Sequence, residues 1–507
     1  MPAVAEAPAP RAGRGHLVPV DVARTQDEPT FTAGRTCAAI IALGACLAAL
    51  NADLPIVRNA LLYAQIAESL LERGMRLWVV CSDPNLVFNK PCGFGALAAP
   101  FVAVFGTNAG LVSVSVLGGA LLVLSILAFF RRFHARFALD ERALPLAIAL
   151  ACFNPLLIYQ FWSGYSDAFF SAGFLYSLVV LDRLIRERTR LRWAVVYFLT
   201  FAFCTLMKHG TIMMVPLHGV YLLWHKPELR ECWRERRLQV WALAVAGLGC
   251  AAFLLLGRLG VNPLLNLEAN RGQLSGDVNY AMNIKLVVVF LLITLGTAAA
   301  LLPVIRITRA DAAFITVAAL NVHLLSVYRG SSYNTRYYIT VLPILALYLV
   351  RAHAALRSRH VRRAVLASFF LLNGLGILVF NQRGLYRWLT ERLPGVGFGA
   401  TTYFDCLRMG DHLESRELID GVNHLPQQAR LFHVSSYYGE GGFGVYERDG
   451  FFRSDLRISY RQQLTERDVR ELDAAGAYVM YPPPFAPEPL AGMQELGPRL
   501  FRIPGAD

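Results

Sequence analysis

The stretch ALAAPFVAVFGTNAGLVSVSVLGGALLVLSILAFF, Ala96 to Phe130, carries no charged side chain. A helix crosses a bilayer with about 20 apolar residues, because every backbone polar group must be satisfied within the segment once water is excluded. This stretch exceeds that length, and its middle, Gly106-Thr107-Asn108, leaves room for a tilted or broken entry. Leu286 to Val304 is a second window of the same kind. With 55% hydrophobic and 17% charged residues over 507 positions, the chain is far more apolar than a soluble globular domain. The composition implies an all-α polytopic membrane protein.

The net charge of +13 is compatible with nucleic acid as a partner, but the distribution of the cations is not. They fall in short clusters between apolar windows: Arg131/Arg132/Arg136, Arg183 to Arg192, Lys226 to Arg237, Arg306/Arg309 and Arg351 to Arg363. Lys and Arg are held back on the cytoplasmic side during insertion, so these clusters read as cytoplasmic loops. Residues 1–34 are rich in Ala, Pro and Arg and read as a disordered cytoplasmic tail, with no cleavable signal peptide before the first span.

Anchored on those clusters, residues 35–380 divide into about eleven transmembrane helices, with the N-terminus cytoplasmic and the C-terminus extracytoplasmic. They run from Thr36–Leu50 through Ala96–Phe130, Ala143–Phe161, Tyr165–Leu181 and a two-span hairpin, Trp193–Trp224. Five more start near Leu238, Leu286, Ala312, Tyr337 and Ala364. Residues 381–507 have a different texture, charged and without long apolar runs, and read as a small C-terminal α/β extracytoplasmic domain. In it Leu464 to Gly476 reads as a helix with Thr465 as N-cap and Asp468 three positions on. Ala429–Val434 and Ala477–Tyr481 read as strands.

The first external loop, residues 52–95, holds a helical pattern over Ile56–Gly74. Arg58, Gln65, Glu68, Ser69 and Glu72 share one face, which predicts a helix lying in the membrane interface. CSDPNLVFNKPCGFG, Cys81 to Gly95, follows; Pro84 and Pro91 interrupt any helix there, and Lys90 is its one cation.

Four passages of this chain resemble the GT-C glycosyltransferases, and among them the branch of bacterial aminoarabinose transferases and protein O-mannosyltransferases. Tyr63-Ala64-Gln65-Ile66-Ala67 followed by Asn89-Lys90-Pro91 is similar to that family's first external loop. Asp167 in SGYSDAFFSAGFLYSL resembles its second external aspartate, and LMKHGTIMMVP, Leu206 to Pro216, its Leu-Thr-Lys-Gly stretch. NTRYYITVLPILAL, Asn334 to Leu347, resembles the Arg-Tyr motif that begins a late span. The chain departs from the pattern in two places. Aligned on Tyr63, the family's first acidic position falls on Asn59, with Asp53 six residues earlier, and the second proline of Lys-Pro-Pro is Cys92.

The resemblance implies transfer of a sugar from a polyprenyl-phosphate carrier to an envelope glycan, lipid or protein acceptor. It places the chain among membrane lipids, in a bacterial inner (plasma) membrane, with the reaction at the outer face. Lys90, Lys208 and Arg336 would face the donor phosphate and stabilise its growing negative charge. Asp53 or Asp167 would act as base or orienting carboxylate toward the acceptor. Asn59, Tyr63, His209 and Tyr337 are supporting positions. On the residues alone, Lys208 also fits a lysine snorkelling from a hairpin tip, and Arg336 an interfacial anchor beside Tyr337. Asp53 also fits a helix cap.

Cys81 and Cys92 are both external and could form a disulfide stapling the Lys90 loop in an oxidising compartment. No cofactor is predicted, and no His/Cys cluster has zinc spacing. A non-catalytic transporter or binding protein for lipid-linked sugars is the alternative, since it would use the same basic, lipid-accessible site without needing the two aspartates.

Overall fold

The computed structural model describes residues 32–57, 59–81, 91–187, 190–208, 211, 214–258, 280–305, 311–327, 335–392, 409–434, 445–461, 463–471, 476–481, 489–497 and 499–504. It is mostly helical, with a small sheet near the C-terminus. Six helices among the described residues are long and apolar enough to cross a membrane: Ala33–Leu50, Thr107–Phe137, Asp167–Arg186, Arg190–Met207, Tyr338–Ala355 and Arg359–Asn381. Four further apolar helices are shorter. The count of about eleven spans expected from the sequence is therefore not confirmed among the described residues, where six helices meet the length criterion.

Two breaks interrupt the expected spans, and the second of them removes one from the count. The Ala96–Phe130 stretch is not one rod. After α1 (Ala33–Leu50), α2 (Asn59–Glu72) and α3 (Leu77–Cys81) come α4 (Gly93–Phe105) and α5 (Thr107–Phe133), hinged at Gly106. Gly106 sits at φ +78°, in the region open to glycine, and both helices end on it. The expected span Ala143–Phe161 is likewise two pieces, α6 (Leu144–Cys152) and α7 (Pro155–Tyr159). Asn154 precedes a proline, which disfavours helical backbone; it is extended, and its side chain caps α7 by accepting from Leu157 N at 2.9 Å.

Beyond these lie α8 (Asp167–Arg186), α9 (Arg190–Met207), α10 (Met214–Trp224), α11 (Lys226–Trp233), α12 (Arg236–Arg258), α13 (Tyr280–Leu295) and α14 (Ala312–Val327). The last spanning helices are α15 (Leu342–Ala355) and α16 (Arg359–Asn381). Close approach between helices relies on glycine. The Phe161 ring lies where a Cβ at Gly44 of α1 or Gly119 of α5 would stand, at 2.5 and 2.7 Å.

The C-terminal region contains α17 (Arg383–Arg392), α18 (Met409–Asn423), β1 (Arg430–Val434), α19 (Val445–Arg448), β2 (Arg457–Arg461), α20 (Glu466–Glu471), β3 (Tyr478–Met480), β4 (Gln494–Gly497) and β5 (Leu500–Arg502). The sheet order is β2-β1-β3-β5-β4; β1 pairs parallel with β2 and β3, and β5 pairs antiparallel with β3 and β4. The Thr465 cap forms as its spacing predicts: Asp468 N donates to Thr465 Oγ1 at 3.2 Å, and Thr465 N donates back to Asp468 Oδ2 at 2.7 Å.

This region does not stand apart from the helices. One buried apolar cluster contains Ala60, Ile66 and Leu70 of α2, Val102 of α4, and also Met409, Ile419, Leu431 and Tyr446. The predicted polar face of α2 is kept in part: Gln65 and Ser69 are half-buried and Glu72 is exposed, whereas Glu68 is buried. Tyr63, Ala64, Ile66, Ala67 and Glu68 are all buried, and α2 runs as an inner layer between α4 and the C-terminal region.

Candidate active site

Helix α8 carries a carboxylate near each end, fifteen residues and so about 22 Å apart along its axis. The first, Asp167, opens the helix. Its Oδ1 takes an ion pair from Lys208 Nζ, which lies just past the end of α9. Sequence reading singled out these two residues from separate motifs, and the antiparallel contact of α8 with α9 brings them together. The pair is largely buried, the side chains of Asp167 and Lys208 being 6% and 18% exposed. Carboxylate and ammonium offset each other's desolvation there. The ammonium also lies 5.8 Å from the centre of the Phe170 ring.

Around the pair, α2 supplies Tyr63, whose hydroxyl shares a 2.7 Å hydrogen bond with Ser166 Oγ, one residue before Asp167. Tyr63 is held by the Phe94 ring, edge to face at 4.7 Å, and Phe94 by Phe169 at 5.8 Å. The α2 helix also brings Glu68 to the start of α5, where its carboxylate accepts from Thr107 Oγ1 at 2.6 Å. Sequence reading placed Glu68 only on a polar face; its fixed partner is 39 positions away, which no local pattern reveals.

Below the pair, an apolar groove of about 440 Å³ opens between α5, α8 and α9. Leu121, Ser125, Ala172, Gly173, Tyr176 and Phe203 are among its walls. Ala172 and Phe203 each lie five residues from Asp167 and Lys208, so the groove starts about 7.5 Å down both helices from the charges.

The other candidates are distributed as follows. Asp53 is at the rim, 54% exposed, with its carboxylate on Arg383 Nη1 at 2.6 Å. Asn59 is the first residue of α2 and half-buried. Lys90 and His209 lie outside the described residues. Arg336 and Tyr337 belong to the 3₁₀ segment Thr335–Val341 that leads into α15, with their side chains outside the described ones. Cys92 is disulfide-bonded; Cys81 ends α3, and its side chain too lies outside the described ones.

The far end of α8 is built differently. Asp182 is fully buried and accepts from Arg132 Nε at 2.6 Å, Arg186 Nε at 3.0 Å, the Tyr221 hydroxyl at 2.7 Å and Arg136 Nη2. This hub ties α5, α8, α10 and the turn after α5 at the end of the bundle where the arginines gather. Arg351 pairs with the buried Asp311 at 2.9 Å, joining α15 to the start of α14.

The architecture is thus a polytopic helical membrane protein roofed at one end by an α/β region. Its fold is similar to that of two solved structures. ArnT from Cupriavidus metallidurans, solved bound to undecaprenyl phosphate, superposes with a TM-score of 0.55 at 16% identity, over 87% of this chain and 92% of that one. The apo structure of the same protein gives 0.53 at 17% identity, over 88% and 92%. No family model matches the sequence, and no curated protein matches it.

Proposed function

We propose that the chain is a glycosyltransferase that moves a sugar from a polyprenyl-phosphate donor to an acceptor at the outer face of a bacterial inner membrane. The observation that carries this reading is the buried Asp167–Lys208 pair standing over an apolar groove. A cation and a carboxylate near one end of an apolar groove suit a substrate with an anionic head and a hydrocarbon tail. The likeness to ArnT, which was solved with undecaprenyl phosphate, supports the same substrate class.

In this reading Lys208 faces the donor phosphate. An ammonium has three donors, so it can keep Asp167 while engaging phosphate oxygens. As the glycosidic C–O bond breaks, its charge stabilises the departing phosphate. Asp167 accepts the proton of the attacking acceptor group, and a single displacement inverts the anomeric centre. Lys90 and Arg336 are assigned to the same phosphate, and a Cys81–Cys92 bridge to the loop that carries Lys90. Asp53, salt-bridged to Arg383, belongs to the frame of the site. Placing the arginine end in the cytoplasm puts Asp167 and the C-terminal region outside.

The test is transfer by the purified full chain in proteoliposomes, with polyprenyl-phosphate-linked sugars as donors and mixed envelope lipid, glycan and peptide acceptors. Release of polyprenyl phosphate coupled to an inverted product is expected, and Lys208→Ala should raise the donor KM by about tenfold or more. A chain that binds donor, moves it across the bilayer and never cleaves it would overturn the proposal.

A further inference from the structure

The break at Gly106 leaves the first backbone N–H groups of α5, a 27-residue helix, without intrahelical partners. No side chain of the preceding residues caps them. Asp449, in the turn after α19, does: its Oδ1 accepts from Thr107 N at 2.8 Å and its Oδ2 from Asn108 N at 2.6 Å. A carboxylate there also meets the positive end of the helix dipole.

The same two residues reach onward. Thr107 Oγ1 donates to Glu68 of α2. The Asn108 amide grips the turn that leads into α2, donating to Ala52 O at 2.9 Å and Leu54 O at 3.0 Å and accepting from Ile56 N at 2.8 Å. The C-terminal region closes over that turn from the other side. The Tyr446 hydroxyl donates to Ile56 O at 2.7 Å, and His412 Nδ1 donates to Pro55 O at 2.8 Å. Burial pushes the Tyr446 phenol pKa up, so it stays a donor across the physiological range.

We infer that Asp449 is a positioning residue for the Asp167–Lys208 site. It fixes the N-terminus of α5; Thr107 and Asn108 then fix α2 and its leading turn; α2 holds Tyr63 against Ser166, the neighbour of Asp167. The C-terminal region is in this sense a clamp on the site. The inference rests on the transferase reading for its catalytic consequence and on geometry alone for the clamp.

The experiment uses the full chain in nanodiscs, with Asp449→Ala, Asp449→Glu, Thr107→Val and, as a control outside the chain of contacts, Glu417→Ala. Amide hydrogen exchange is followed over residues 51–57 and α2 alongside kcat and donor KM. Asp449→Ala should speed exchange there about tenfold or more. It should also lower kcat about tenfold to a hundredfold, with donor KM within about twofold, because misplacement costs turnover rather than binding. Asp449→Glu should recover part of both losses, Thr107→Val should lower kcat in the same way with its caps intact, and Glu417→Ala should change neither. Unchanged exchange in Asp449→Ala overturns the clamp, and altered exchange with unchanged kcat overturns the positioning role. Altered exchange in a chain whose wild type transfers nothing supports the clamp and sinks the transferase reading.

Discussion

In the proposed reading, the two carboxylates of α8 set a fixed joint at one end of a helix against a working group at the other. Asp182 is surrounded by guanidinium groups, planar forks that pin a carboxylate in one geometry, with the Tyr221 hydroxyl filling a further position. Asp167 is met by an ammonium, a point charge on a flexible stem that can turn toward a second anion without leaving the first. The joint stands at the arginine end, where the helices must stay in register. The lysine pair stands at the end that opens onto a groove. The identity of the cation, more than the burial of the acid, separates the two.

That contrast can be broken experimentally, most forcefully at Asp167. Asp167→Asn should cut transfer about 100-fold or more in the proteoliposome assay, the usual worth of a general base, while Lys208 reaches for water and the folded yield holds. Next, Asp182→Asn should cost about 2–3 kcal/mol of unfolding free energy, read by denaturation of the detergent-solubilised chain, since it leaves three arginines facing an uncharged centre. The full cost of a broken buried pair is discounted because those arginines are each a quarter to a third exposed. Transfer per folded molecule should be unchanged. The reverse pattern, Asp182 catalytic and Asp167 structural, would invert the assignment of the two ends.

Acid should separate the ends as well. His433, buried in β1 beneath the Tyr460 ring, has its pKa lowered from the ordinary 6.5 to about 3 by burial. The unfolded chain takes up a proton at pH values where the folded one does not, so stability is full above about pH 6.5 and falls as pH drops toward 3. The slope is at most about 1.4 kcal/mol per pH unit. Limited proteolysis between pH 7 and 4 should therefore open the C-terminal region before the Asp182 hub, and His433→Phe should flatten the dependence. The smallest effect on stability is expected at Tyr63→Phe, which removes the buried hydroxyl contact with Ser166 and should cost about 1 kcal/mol. Because that contact is the last link to Asp167, kcat should fall with donor KM nearly unchanged.

What the sequence disclosed follows from the range of each interaction. Spans, the Gly106 hinge, the Thr465–Asp468 cap and the strands β1 and β3 rest on neighbours in the chain, and each was legible. The interruption at Asn154-Pro155 had a signal, the proline itself, which the surrounding apolar run concealed. Strands β2 and β4, RISYR and QELG, lie at the two edges of the sheet. QELG lacks apolar alternation, whereas RISYR alternates Ile458 and Tyr460 with polar residues, a signal that was present in the sequence and missed. Asp167 and Lys208 were found singly through motifs, but their pairing was not. Asp449, Glu68 and three of the partners of Asp182, Arg132, Arg136 and Tyr221, were invisible as site-builders, because what gives them a role is a residue 39 to 342 positions away.

The Asp449 cap has a consequence for how the protein is made. Helix α5 is made early in synthesis, yet the carboxylate that caps it emerges 342 residues later and, in the proposed topology, must first be carried across the bilayer. The turn before α2 waits equally long: Asp53 for Arg383, 330 residues on, and Ile56 for Tyr446, 390 residues on. Until the chain from about residue 446 onward is in place, this end of the protein is an unfinished assembly with open helix ends and bare apolar surface. A nonsense mutation just before residue 440 would therefore yield a nearly full-length polypeptide that cellular quality control reads as damaged.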